Sequence, residues 1–203
     1  MQIQIGRISE GNLAGCDIQH MHELRYQVFR ERLQWEVPCK DRVEQDQFDE
    51  LDPTYMLVKD EDDQVFGCWR MLPTTGPYML KDTFPQTLCG QLAPEDAKVW
   101  ELSRFAVGSH EGRAHGFSRT AVLMMESAVE HALDHGVTQF VTVTTVAIER
   151  LLKMLGIPTR RFGTPVQVGI EKTVAFSIDV DLNTLILLRR HTGCAPSDAK
   201  MAA

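Results

Sequence analysis

The sequence predicts a single mixed α/β domain, and three observations predict it. Strand-forming runs at 55–59, 64–72, 99–107 and 140–146 alternate with stretches whose apolar residues recur at helical spacing, near 17–29 and 117–135. No break in composition divides the chain. At 203 residues it is long enough to bury one substantial core.

Composition narrows the function classes. With 21 basic and 28 acidic side chains the net charge is −7, which argues against nucleic acid as the main partner. No apolar run approaches the ~20 residues that cross a bilayer, and Met1–Ile5 lacks the basic and apolar regions of a signal peptide. A cytoplasmic protein without membrane insertion is therefore expected. Cys16, Cys39, Cys68, Cys89 and Cys194 are scattered and odd in number, as reduced thiols are. His131 with His135, and His20 with His22, lack a nearby third ligand, so no metal is expected.

Met1–Ile5 alternates polar and apolar residues as a first strand ending at Gly6. Asp17 is the expected N-cap of a helix whose apolar stripe is Ile18, Met21, Leu24, Val28 and Phe29, with Arg25, Arg30, Glu31 and Arg32 on the other face. Residues 36–54 carry Asp41, Glu44, Asp46, Asp49, Glu50 and Asp52 among few apolar residues, the composition of a long ordered loop. The strands at 55–59 and 64–72 form a hairpin turned by Asp60-Glu61-Asp62-Asp63. Residues 73–94, rich in Pro and Gly, read as an irregular excursion.

After the strand at 99–107, the segment 108–116 is a glycine-bearing loop of the kind that can cradle phosphate, although its spacing fits neither the Walker nor the dinucleotide pattern, and it leads into a helix over 117–135 stopped by Gly136. Phe140–Val146 is a β-branched interior strand, followed by a helix over 147–155. Val166–Ile170 and Val174–Val180 read as a closing antiparallel pair, and 192–203 as a frayed tail.

The run Val99-Trp100-Glu101-Leu102-Ser103-Arg104-Phe105-Ala106-Val107 is the most informative stretch. Regular alternation places Glu101, Ser103 and Phe105 opposite Leu102 and Arg104, unless a bulge intervenes. Charges in an apolar strand are costly unless paired, so a structural ion pair and a functional site are both open on these residues alone.

The ordered set Arg25, Phe29, Trp35, Asp46, Asp49, Arg70, Glu101 and Arg104, joined by the Trp-Glu-Leu-Ser-Arg-Phe string, resembles the LuxI-type acyl-homoserine lactone synthases. The likeness extends through Phe66–Arg70, Thr74–Lys81 and Val141–Thr145, covering roughly residues 20 to 180. It implies an acetyltransferase-like, GNAT-related twisted mixed sheet flanked by helices, with a cleft between the two central strands. It also implies N-acylation of S-adenosylmethionine by an acyl chain on acyl carrier protein, followed by lactonisation with release of methylthioadenosine. S-adenosylmethionine is a substrate, so no separate cofactor is implied.

Under that resemblance Glu101 is the expected base, Arg104 or Arg70 the anchor for the methionine carboxylate, and Ser103 an additional donor. Arg25, Phe29, Arg30, Trp35, Asp46, Asp49, Arg70 and Phe105 are expected around the substrates. Asp46 and Asp49 would offset the sulfonium and amine, Phe29 and Trp35 would support adenine, and Arg25 would tie the N-terminal helix to the acidic loop. Thr144 is the counterpart of the threonine associated with 3-oxoacyl selection, and Thr142 the second choice. Met124, Met125, Val143, Leu151, Leu152 and Met154 are candidates for an acyl tunnel. Arg150, Lys153, Arg160 and Arg161 are candidates for docking an acidic carrier protein. Two rival readings share the cleft: a CoA-dependent N-acyltransferase with another amine acceptor, and a noncatalytic acyl-ligand sensor.

Overall fold

The computed structural model describes residues 1–108 and 118–193. The glycine-bearing loop after the central strand and the end of the chain beyond Gly193 therefore lie outside the described residues. In chain order the elements are β1 (Gln2–Gly6), α1 (Gly15–Arg25), a π-helical continuation over Tyr26–Arg32, β2 (Cys39–Lys40), β3 (Val43–Glu44) and a 3₁₀ turn over Gln47–Leu51. Then follow β4 (Thr54–Lys59), β5 (Val65–Pro73), α2 (Met79–Asp82), a 3₁₀ turn over Pro85–Leu88, β6 (Val99–Val107) and α3 (Arg119–Asp134). The last elements are β7 (Gln139–Thr145), α4 (Val146–Met154), β8 (Arg160–Arg161), β9 (Val166–Val168), β10 (Glu171–Asp179) and α5 (Leu182–Thr192).

One sheet runs in the order β1-β4-β5-β6-β7-β10-β8, with β9 also on β10. Every pairing in it is antiparallel except β6 with β7. The alternation of β4 shows how the sheet fills two cores at once: Tyr55 and Leu57 pack with Met21, Leu24, Val28 and Phe29 of the N-terminal helix, whereas Met56 and Val58 pack with Val122, Met124 and Met125 of α3. β4 is consequently buried along its whole length.

The parallel pair is short. β6 and β7 are in register only from Val99 and Gln139 to Leu102 and Thr142, and the two strands separate beyond that point. The remaining five residues of β6 thus have no partner on their β7 side, which opens a cleft in the middle of the sheet.

Three local expectations are corrected. Asp17 is not the N-cap of α1; Ala14 occupies that position, and Asp17 lies within the first turn, its Oδ2 2.9 Å from Lys59 Nζ. The stretch 36–54 is not loop throughout, because the β2–β3 hairpin and a 3₁₀ turn organise it. That turn begins in a capping box, with Asp46 accepting from Phe48 N and Asp49 accepting from Asp46 N. Residues 73–94 likewise contain α2 and a 3₁₀ turn.

The sequence reading also left α5 and β8 unassigned. α5 has an N-cap Asp181 that accepts from Thr184 N at 2.7 Å and a Gly193 in the left-handed region at its end, so the expected tail boundary at Thr192 falls inside a helix. Thr192 is buried and donates to Glu126 Oε2 of α3 at 2.8 Å, while Arg189 Nε donates to Glu126 Oε1 at 3.2 Å. Glu126 thus ties the last turn of α5 to α3. Glu126→Ala is expected to lower unfolding free energy by about 1–3 kcal/mol, because it removes the carboxylate to which Thr192 and Arg189 both donate and leaves Thr192 only its 3.3 Å contact to the Arg189 carbonyl. Urea unfolding of the variant measures it.

Candidate active site

The site begins with a break in the pleat of β6. Arg70 pairs with Ser103 and Cys68 with Ala106, so one residue of β5 faces two of β6, and Arg104 sits at φ 57° in the left-handed region. This bulge inverts the side-chain parity. Trp100 and Leu102 face α3, Glu101 and Ser103 face the opposite side, and Arg104, which regular alternation would send to α3, joins Glu101 and Ser103. Phe105 pays the converse: it packs edge-on to Trp69, centroids 4.9 Å apart, in the α3-side core and away from the polar cluster.

On the opened face, three arginines meet three carboxylates. Arg25, near the end of α1, donates from Nη1 and Nη2 to Asp49 at 2.8 and 2.9 Å and from Nε to Glu44. Arg70 donates from Nη1 to Asp46 at 2.6 Å and to Asp49 at 2.8 Å, and from Nε to Ser103 Oγ at 3.1 Å. Arg104 reaches Glu44 at 3.0 Å and Asp46 at 2.8 Å through Nη2. Side chains of Arg25 and Arg70 are 0 % exposed and that of Arg104 10 %. Three cations against three anions make the cluster neutral, which is what allows such burial.

Aromatic rings cover this cluster. The π-helical turn brings Phe29 and Trp35 into a stack, centroids 5.5 Å apart and planes within 8°, and Arg104 Cζ lies 5.6 Å from the Phe29 ring centre. Phe48 lies similarly under Arg70. Tyr55 donates to Asp49 Oδ1 at 2.7 Å, and His22 Nδ1 lies 2.9 Å from the Glu44 carbonyl oxygen.

Glu101 stands apart from this set. Its carboxylate accepts from the amides of Met79 at 3.0 Å and Leu80 at 2.6 Å at the start of α2. Burial pushes its carboxyl up to about 7, against the opposing pull of those amides and of Arg70. Asp49 responds in the other direction: burial works against its charge, but Arg25 and then Arg70 outweigh it and hold the group well below the usual carboxylate range.

The structure thus brings together Arg25, Phe29, Trp35, Asp46, Asp49, Arg70, Glu101, Ser103 and Arg104. Arg30 lies outside the cluster, exposed, with Nη1 3.3 Å from the Trp35 carbonyl oxygen. Asp49 has both oxygens engaged by arginine, Tyr55 and a backbone amide, so within this cluster it holds the arginines in place. Thr142 marks the fork of the cleft, its Oγ1 donating to Leu102 O at 2.8 Å, and Thr144 is half-buried one step further along β7.

The apolar candidates separate. Met124, Met125 and Leu152 belong to the α3-side core, and Val143 packs with Leu72, Met79 and Leu80 on the other side. Leu151 is half-buried. Met154 is 68 % exposed and faces solvent, so it lines no tunnel in this structure. Of the basic candidates, Lys153 and Arg161 converge on the buried Glu149, at 2.8 and 2.9 Å, and Arg160 pairs with Asp179. Arg150 is exposed, with no ion pair among the described residues.

Sequence reasoning missed Glu44, His22, Phe48, Tyr55 and Met79. Glu44 carried a signal, since it precedes Asp46 by two residues in the acidic stretch; the Met79 amide carried none, because backbone donors are not encoded in side-chain type.

The autoinducer synthase family profile matches residues 11–186. An acyl-homoserine-lactone synthase of Pseudomonas aeruginosa is 44 % identical over 192 residues, covering 93 % of this chain and 94 % of that protein. The crystal structure of the synthase LasI superposes with a TM-score of 0.85 at 41 % identity, over 98 % of each chain. A CoA-dependent synthase, BjaI, solved with S-adenosylmethionine and isopentyl-CoA, gives a TM-score of 0.86 at 26 % identity, over 96 % of this chain and 90 % of that one. A Lactobacillus plantarum protein described as an N-acetyltransferase shares the fold, with a TM-score of 0.59 at 15 % identity over 89 % of this chain and all of that one. The acetyltransferase-like sheet, the split between β6 and β7 and the family match agree, and the chain belongs to the autoinducer synthase family of acyl-homoserine-lactone synthases.

Proposed function

We propose that this chain joins S-adenosylmethionine to an acyl group delivered as a thioester on acyl carrier protein, making an acyl-homoserine lactone and releasing methylthioadenosine. The observation that carries the reading is the pairing of a carboxyl pushed up to about 7 with a neutral arginine–carboxylate cluster at the mouth of a split sheet. A sensor has no use for a base so placed.

In the first step Glu101 takes a proton from the substrate ammonium, directly or through one water, and the amine nitrogen bonds to the thioester carbonyl carbon. The carbon–sulfur bond breaks and the carrier thiol leaves with a proton. Backbone groups of β6 beyond Leu102, unpaired on the cleft side, are placed to donate to the carbonyl oxygen as its charge grows. In the second step a carboxylate oxygen of the acylated substrate attacks the carbon bound to the sulfonium, that carbon–sulfur bond breaks, and neutral methylthioadenosine leaves the lactone. Arg104, with Arg70 behind it, anchors the carboxylate, and the Phe29–Trp35 stack supports adenine.

Acyl selection is assigned to Thr144, with Thr142 fixed to the Leu102 carbonyl as the second choice. The acyl chain is assigned to the apolar surface of Met124, Met125, Val143, Leu151 and Leu152. Carrier-protein docking is assigned to Arg150 with Lys153, Arg160 and Arg161. The CoA dependence of one relative makes the donor the decisive variable. Acyl carrier protein is favoured by the exposed basic side chains of α4 and β8, Arg150 foremost because it has no ion pair among the described residues.

Because Glu101 must be ionised to accept a proton, kcat/KM should rise with pH along a limb whose apparent pKa lies near 7. Glu101→Gln is expected to lower kcat by roughly 10²–10⁴-fold and to remove that limb. The same residue predicts a stability signature. Its folded-state pKa lies above the ordinary 4.5, so the folded state holds more protons than the unfolded state between those values and Glu101 costs stability as pH rises through that window. The thermal midpoint of Glu101→Gln relative to the parent should therefore be more favourable at pH 8 than at pH 5.

Incubation with S-adenosylmethionine and matched panels of acyl carrier proteins and acyl-CoAs, with products identified by mass, tests the donor. Turnover is expected with the carrier-protein series. Release of no methylthioadenosine with any donor overturns the synthase reading, and turnover with CoA alone overturns the carrier assignment. Reversing Arg150 and Lys153 to Glu should raise KM for the carrier-protein donor about tenfold and leave S-adenosylmethionine binding unchanged.

A further inference from the structure

Two of the buried arginines carry a contact that the neutral cluster does not explain. Arg104 spends Nε and Nη2 on the oxygens of Glu44 and Asp46, yet its Nη1 has one partner among the described residues, the thioether sulfur of Met79 at 3.4 Å. Arg70 Nη2 points at the same sulfur, 3.1 Å away, while also donating to Asp46 Oδ2 at 3.1 Å. A thioether is a weak acceptor, and a guanidinium hydrogen bond to a carboxylate is about twice as strong as a neutral one. Two converging guanidinium N–H groups therefore aim at a point where the protein itself offers no oxygen.

Met79 is held there in a particular way. Its side chain is buried among Leu72, Tyr78, Leu80 and Val143, while its amide is fixed by Glu101 Oε2. Methionine has three rotatable bonds and adapts to irregular space, so the sulfur can leave without moving the amide that serves Glu101.

We propose that the Met79 thioether is a displaceable occupant of the anion subsite between Arg70 and Arg104, filling it in the free enzyme and yielding it to the carboxylate of the amino substrate. This rests on the synthase reading above and adds to it a residue that sets discrimination among adenosyl ligands. A ligand with a carboxylate recovers more than the sulfur contacts it breaks. A ligand without one gains nothing by displacing the sulfur. The subsite stays dry when no substrate is bound, and the two guanidiniums keep their geometry.

Met79→Leu removes the acceptor and keeps the volume; Met79→Gln keeps the length and supplies an oxygen that holds the guanidiniums more firmly. The two substitutions should act in opposite directions on S-adenosylmethionine. Titration calorimetry on the full chain is expected to show its Kd falling roughly three- to tenfold in Met79→Leu and rising by a similar factor in Met79→Gln. Methylthioadenosine lacks the carboxylate and amine, so its Kd should change less than about twofold in either variant. Parallel shifts for both ligands would mean that Met79 merely shapes the pocket, and no shift for either would mean that the sulfur contacts carry no weight; each overturns the proposal. If the parent chain binds neither adenosyl compound, the synthase reading fails and takes this inference with it, an outcome distinct from a parent that binds both and variants that show no split.

Discussion

The structure depends on neutralising three guanidiniums that the fold removes from water. Arg25, Arg70 and Arg104 come from α1, β5 and β6, elements remote in sequence, and none can be buried alone at tolerable cost. The acids that receive them all come from one short segment, Glu44 at the end of β3 and Asp46 and Asp49 in the turn that follows. Apart from Phe48, which is buried against Leu72 and Leu80, that segment is held by its charges. Breaking one buried pair costs about 3–5 kcal/mol, because the surviving charge is left in place. The N-terminal helix, the acidic segment and the central strands are thus tied together by electrostatics on one face of the sheet, while ordinary apolar packing against α3 holds the other.

The bulge in β6 makes this arrangement possible. A regular strand would divide Glu101 and Arg104 between the two faces, placing a guanidinium in the α3 core among Val122, Met125 and Trp100. One extra residue moves Arg104 to the polar side and Phe105 to the apolar side, so each side chain finds the surroundings it requires. The backbone of a non-glycine residue at φ 57° costs on the order of 1–3 kcal/mol, which three ion-pair contacts and the Phe29 ring offset.

Much of this was legible in the sequence, for identifiable reasons. Charges inside strand-like runs marked Arg70, Glu101 and Arg104, and the β-branched run at 140–146 marked the second wall of the cleft. The bulge was visible only as a condition, because side-chain type does not reveal where a pleat breaks. Asp17 looked like an N-cap until the ammonium of Lys59, on a strand more than forty residues away, was placed beside it. α5 escaped notice because its apolar residues run together as Leu-Ile-Leu-Leu, so that the buried pair Leu185 and Leu188, which joins the α3 core, does not stand out from its neighbours. Arg30 shares a helical stretch with Arg25, but the face it occupies turns to solvent.

Asp49 and Glu101, two carboxylates buried close together, are pushed in opposite directions, and partner chemistry separates them. Asp46, Asp49 and Glu44 each face at least one full positive charge within hydrogen-bond distance, and for Asp49 that charge defeats the penalty of burial. Glu101 faces two neutral amides, with Arg70 acting only as the next influence, and burial prevails. A fourth arginine beside Glu101 would stabilise the fold and remove the base. An unbonded Glu101 would remain protonated well above neutrality, too weakly ionised to accept a proton at the pH of the reaction. Two backbone donors from the first turn of α2 hold it between those limits, which assigns to that four-residue helix a chemical role as well as a structural one.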